Sequence, residues 1–193
     1  MLGMVEKNIS RAYDILMKYD DREMKKIRER ETYIDYLNQE ISAYTVSLMA
    51  NEMSMSDSRQ INGYYVIISN LERIGDHAVN LAEYAQDLRK WNGEFSDIAR
   101  DDLKNMKKQC LEALRIINRQ EEDVPAVILN QAALMEQKID DTREKYFKKQ
   151  MQRLKKGKCR PQTGIVFTEI LTDFERIGDH VKNIAEQYVE MEN

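Results

Sequence analysis

Apolar residues recur at three- and four-residue intervals along almost the whole chain, the signature of amphipathic helices rather than strands. The spacing predicts a first helix from about Leu2 to Tyr19, with Val5, Ile9, Ala12, Ile15 and Leu16 on one face. Asp20-Asp21 makes a short turn. A second helix, from about Arg22 to Ala50, carries the stripe Ile27, Tyr33, Ile34, Leu37, Ile41, Tyr44 and Leu48. The polar run Asn51 to Ser56 reads as a loop, with Ser54 or Ser56 able to cap the next helix. A third helix runs from about Asp57 to Trp91, its apolar face made by Ile67, Ile74, Ala78, Leu81 and Ala85, and Asn92-Gly93 stops it.

The plan then repeats. Ser96 caps a fourth helix carrying Ile98, Leu103, Met106, Leu111, Leu114 and Ile117. Glu121-Glu122 makes a turn, and Asp123 and Pro125 open a fifth helix that continues to about Lys156 through Ile128, Met135, Ile139 and Tyr146. Proline fits a first helical turn because its missing N–H has no partner there in any case. Gly157 to Arg160 is a basic loop, and a sixth helix runs from about Pro161 to the C-terminus. The expectation is an all-α chain of six long helices, arranged as two tandem antiparallel three-helix bundles, residues 1–92 and 93–193.

One stretch marks the duplication. Leu71-Glu72-Arg73-Ile74-Gly75-Asp76-His77-Ala78-Val79-Asn80-Leu81-Ala82-Glu83 returns as Phe174-Glu175-Arg176-Ile177-Gly178-Asp179-His180-Val181-Lys182-Asn183-Ile184-Ala185-Glu186, with 9 of the 13 positions identical. The rest of the two halves match only weakly. Whatever these side chains do, the chain needs them twice.

Composition narrows the classes. With 7 Gly and 2 Pro in 193 residues, turns are few, as long helices require. A formal net charge of -4 argues against nucleic acid, whose partners are usually basic. Cys110 and Cys159 stand at no metal-like spacing, so a reducing compartment fits better than a disulfide framework, and Cys110 is expected to be buried. No signal peptide is evident, and no apolar run approaches the roughly 20 residues that span a bilayer, so the chain reads as soluble. Lys155-Lys156-Gly157-Lys158-Cys159-Arg160 offers positive charge to an anionic partner, against the ordinary reading of a solvated turn.

The chemistry lies in the acids. Glu72 and Asp76 are four apart, as are Glu175 and Asp179, so each pair shares one helix face. The second helix carries Glu31 and Asp35, and the fifth carries Glu136 and Asp140, at the same spacing. Residues at one height in an antiparallel hairpin have numbers with a constant midpoint. Glu31 with Asp76, and Asp35 with Glu72, share a midpoint near 53 or 54, inside the predicted loop. Glu136 with Asp179, and Asp140 with Glu175, share one near 157 or 158, on the Gly157 loop. Each hairpin should therefore gather four carboxylates. Such a group must be neutralised by arginine (Arg73, Arg176), by protons, or by a multivalent cation. An all-oxygen set suits hard ions such as iron, manganese, magnesium or calcium. The helical wheel puts Glu72 and Asp76 opposite the apolar face, so the clusters are expected on the outside of the bundle.

Gly75 and Gly178 cost about 1 kcal/mol each relative to alanine inside a helix. Close approach of a backbone or ligand would explain them, and so would tight helix packing. His77 and His180 lie about 100° around the helix from the neighbouring Asp. A hydrogen bond at a helix contact suits them better than metal ligation. Asn80, Glu83, Asn183 and Glu186 extend the polar stripe as candidate supports for the ligands. The tyrosines, ten in all, fit core and interface positions.

The paired signatures Leu71-Glu72-Arg73-Ile74-Gly75-Asp76 and Phe174-Glu175-Arg176-Ile177-Gly178-Asp179 resemble the PhoU family of bacterial phosphate-uptake regulators, over essentially the whole chain. The segment from Arg153-Leu154 through Gly157-Lys158-Cys159 to His180 is more similar still to the PhoU-like domain that follows the membrane part of sodium/phosphate cotransporters. The resemblance implies two three-helix bundles related by pseudo-twofold symmetry. It implies multinuclear metal clusters, iron foremost with manganese, zinc or magnesium as alternatives, on Glu31, Asp35, Glu72, Asp76, Glu136, Asp140, Glu175 and Asp179. It also implies a non-enzymatic regulator at the cytoplasmic face of the membrane. Its partners would be a phosphate transporter's membrane domain, fused or separate, a sensor kinase, and further copies of itself. Two other readings compete. A carboxylate-bridged di-iron enzyme needs Glu-x-x-His pairs facing a bundle core, a spacing missing here. A metal-free helical adaptor needs none of the acids.

Overall fold

Local chemistry sets the helix ends. The computed structural model describes residues 1–50, 53–119 and 124–192. Six helices account for most of them: α1 (Leu2–Met17), α2 (Asp21–Met49), α3 (Met55–Lys90), α4 (Asp97–Ile117), α5 (Pro125–Lys155) and α6 (Pro161–Glu192). The Asp20 carboxylate accepts from the backbone N–H groups of Arg22 and Glu23, which otherwise have no helical partner. Ser54 and Ser96 cap α3 and α4 in the same way, through Asp57 N and Ala99 N. Pro125 opens α5. Gly157, at φ 64°, ends α5 in the left-handed conformation that favours glycine. At the end of α3 that conformation falls to Asn92, at φ 46°, and not to Gly93. Asn51, the Glu121-Glu122 turn and Asp123 lie outside the described residues.

Helix α3 packs against α1 and α2, and α6 packs against α4 and α5. The two sets join mainly through α3 and α6, helped by α1 against α4. One connected hydrophobic cluster runs through both halves, from Val5, Ile9 and Ile34 to Phe167, Phe174 and Ile184. Phe174, which opens the second repeated stretch, is fully buried. Its carbonyl accepts from the thiol of Cys110 at 3.3 Å, so that cysteine is a buried core residue.

Three residues of the predicted stripes face solvent. Tyr33, Tyr44 and Ile98 are exposed, at 49%, 66% and 65%. Helix α1 has 16 residues against 29 in α2, so much of α2 lacks a third helix to cover it. Ile98 falls in the first turn of α4, on its open side. Of the tyrosines, Tyr13, Tyr146 and Tyr188 are buried.

A candidate cation site on the first helical hairpin

Helices α2 and α3 bring Glu31, Asp35 and Asp76 together, with one carboxylate oxygen from each lying within 4.8 Å of the others. Glu72, one turn before Asp76, is near enough to feel both Asp35 and Asp76 but stands outside that triad. The cross-hairpin register expected from the numbering therefore holds for these four.

The cluster is less superficial than the helical wheel implied. Asp76 is exposed, Asp35 and Glu72 are half-buried, and Glu31 is only 8% exposed. Glu31 turns in toward α1, where the buried Asn8 amide donates to its Oε2 at 3.4 Å. Arg30 in turn donates to the Asn8 side-chain oxygen at 2.6 Å, which orients the amide. Glu31 Oε1 is buried and has no hydrogen-bond partner.

The glycine of the motif explains how Glu31 fits. A Cβ on Gly75 would lie 2.7 Å from both Glu31 oxygens. Only a residue without a side chain lets this carboxylate rest against the α3 backbone. In the second half a Cβ on Gly178 would meet Ile139 Cδ1 at 3.1 Å, an apolar contact. In both repeats the glycine admits a side chain of the neighbouring helix, so tight helix packing accounts for both, and among the described residues no backbone approaches either.

Burial and crowding raise the proton affinity of the acids. Glu31 is pushed up to about 8, first by desolvation and then by the charges of Asp35 and Asp76. Glu72 and Asp76 are raised for the same two reasons in the same order. A buried, unpartnered oxygen beside two further carboxylates fits a hard cation, which would satisfy Oε1 and displace the proton. The donor set is all oxygen, with Glu31, Asp35 and Asp76 as the residues able to hold the ion and Glu72 beside them.

The second hairpin gathers Glu136, Asp140, Glu175 and Asp179 differently. Asp140 senses Glu136 and Asp179, and Glu175 senses Asp179 and, more weakly, Asp140. Among the described residues these four form no triad as close as the first. Lys182 Nζ lies 3.3 Å from Glu136, and Arg176 Nη1 lies 3.3 Å from Asp179. Arg143 draws down the pKa values of Asp140 and Glu175 against the larger effect of burial.

The histidines point elsewhere, into the seam between α3 and α6. His77 Nδ1 meets the Asp173 carboxylate at 2.7 Å, and Asn80 donates to the same oxygen at 3.3 Å. His180 Nδ1 meets the Asn70 amide oxygen at 2.9 Å, and Asn183 donates to it at 3.3 Å. The two imidazoles stack with centroids 5.5 Å apart. Burial, and then the neighbouring His77, pull the pKa of His180 down to about 4. Asn80 and Asn183 therefore serve the seam and not the acids, while Glu83 pairs with Arg28 in solvent. Asn8, Asn70, Arg143, Asp173 and Lys182 are not singled out by the sequence pattern. Asn70 and Asp173 each stand immediately before a repeated stretch, and that shared polar position is the signal that marks them.

Fold and acids together define a class: a protein of two three-helix repeats that fuse along one seam and present carboxylates on their hairpins. The PhoU domain matches residues 1–85 and 101–188, and the chain belongs to the PhoU domain family. It is 27% identical to the phosphate-specific transport system accessory protein PhoU homolog 1 of Thermotoga maritima, across all of this chain and 82% of that protein. A PhoU homolog of Clostridium acetobutylicum is 26% identical, over 98% of this chain and 86% of that one. The crystal structure of PhoU from Pseudomonas aeruginosa has the same fold, with a TM-score of 0.88 over 98% of this chain and 90% of that one at 22% identity. That of the phosphate transport system regulatory protein PhoU from Streptococcus pneumoniae gives 0.81, covering 100% of this chain and 91% of that one at 23% identity.

Proposed function

We propose that this protein is a non-enzymatic regulator of phosphate transport, and that a multivalent cation held by Glu31, Asp35 and Asp76 is part of its working form. The observation that carries the cation is the buried, unpartnered Oε1 of Glu31, set against a glycine that makes room for it. The transport role rests on family membership and on relatives named as accessory proteins of phosphate-specific transport systems. Iron and manganese suit the oxygen ligands, with magnesium and zinc as further candidates. No helix among the described residues is long and apolar enough to cross a membrane. The working place is the cytoplasmic face of a phosphate transporter, where the two repeats offer a rigid helical body for docking. Partners are the transporter itself, as a separate protein or a membrane portion joined to this domain, and a sensor kinase.

Two measurements test the reading. Elemental analysis of protein purified without chelator should find a bound transition metal that Glu31→Ala with Asp76→Ala loses. Disrupting the gene in its host should change phosphate uptake under phosphate-rich growth. Metal content equal in both proteins sinks the cation. Uptake unchanged by disruption sinks the regulatory role.

A further inference from the structure

The two hairpins have the same four acids but not the same surroundings. In the first, Arg73 acts on Glu72 and Asp76, yet among the described residues it makes no ion pair with them. In the second, Lys182 and Arg176 each sit 3.3 Å from a carboxylate of the cluster, and Arg143 acts on the two others. Aligning the repeats shows where the difference arises. Lys182 occupies the position of Val79, three residues after the motif aspartate in each repeat, and Arg143 occupies that of Asn38 on the partner helix.

We infer that the chain takes its cation in the first hairpin alone, and that the ion pairs of Lys182 with Glu136 and Arg176 with Asp179, with Arg143 adding positive charge nearby, take the place of one in the second. This rests on the cation reading above. A fixed ammonium or guanidinium beside a carboxylate does part of what a metal ion does, by neutralising charge, and it also blocks the oxygen's open lone pair. In the first hairpin Arg73 makes no such contact among the described residues, and Glu31 Oε1 is buried and left without a partner. Asp140 Oδ1 in the second hairpin is also buried without a hydrogen bond, but it lies in the field of Arg143, whose own Nε is unpartnered too. Ile139, and not an acid, lies over Gly178, so the second hairpin lacks the inward carboxylate that Glu31 provides.

Manganese binding on the full chain tests this, by equilibrium dialysis with electron paramagnetic resonance to count bound Mn2+. Wild type and a Glu136→Ala, Asp140→Ala variant should bind the same number of ions. Exchanging the first hairpin's neutral residues, Asn38→Arg with Val79→Lys, should weaken binding by about tenfold or more. The reverse exchange, Arg143→Asn with Lys182→Val, keeps every carboxylate and should add ions to the second hairpin; circular dichroism checks that each variant folds. Loss of bound Mn2+ on Glu136→Ala, Asp140→Ala overturns the inference while leaving the cation reading intact, as does a folded reverse exchange that gains no ion. Absence of Mn2+ from wild type and from every variant overturns both.

Discussion

The repeated stretch feeds two regions, and they keep its symmetry to different degrees. Along the α3–α6 seam the pseudo-symmetry survives: His77 and Asn80 meet Asp173, while His180 and Asn183 meet Asn70. On the hairpins it has broken, with a buried Glu31 in one repeat and a lysine-paired Glu136 in the other. The seam joins the two halves, so a change in either histidine strands a polar group contributed by the opposite repeat. Each acid cluster is local to its own hairpin and is free to drift alone. Polar groups buried between repeats hold the fold to its symmetry, whereas groups confined to one repeat do not.

Breaking the seam should have the largest effect. Asp173→Ala removes a buried carboxylate and leaves His77 and Asn80 without their acceptor, for an expected loss of about 2–3 kcal/mol in urea unfolding. The acid cluster should respond in the opposite direction. In the metal-free folded protein Glu31 holds its proton up to about pH 8, whereas the unfolded chain loses it near the ordinary value of 4.5. The folded state thus binds more protons between these limits, and stability falls as pH rises through that window. Glu31→Gln should therefore stabilise the metal-free protein by about 1–2 kcal/mol at pH 8 and by little at pH 4, followed by thermal melts across pH.

Smaller changes sharpen the contrast. Asn70→Ala breaks the neutral side of the seam, for a loss of about 1 kcal/mol, less than its counterpart Asp173→Ala. The two glycines should separate the hairpins with little cost to folding. In Gly178→Ala, the gain in helix propensity of about 1 kcal/mol offsets the contact with Ile139, leaving the melting temperature nearly unchanged. Gly75→Ala drives a methyl into the Glu31 carboxylate, so cation affinity should fall even where the melt does not.

Much of this was legible in the residues. Ser54, Ser96 and Pro125 announce helix starts because capping is decided within a few residues. The matching of Glu31 with Asp76 follows from the geometry of an antiparallel hairpin. Tyr33 and Tyr44 misled because an apolar stripe does not say whether a third helix reaches far enough to cover it. The seam was hidden for another reason. His77 and Asp173 are 96 residues apart, and His180 and Asn70 are 110 apart, separations that no helical period encodes. The inequality of the clusters was visible as Val79 against Lys182, but its meaning needed the distance from Lys182 to Glu136.

The most direct test is the proton count of cation binding. Titration calorimetry with Mn2+ at pH 7, repeated in buffers of different ionisation enthalpy, should show release of about one proton per bound ion, from Glu31. Glu31→Gln should abolish that release along with most of the affinity. Binding by wild type with no proton released, or binding unaffected by Glu31→Gln, would contradict a site built around that buried carboxyl group.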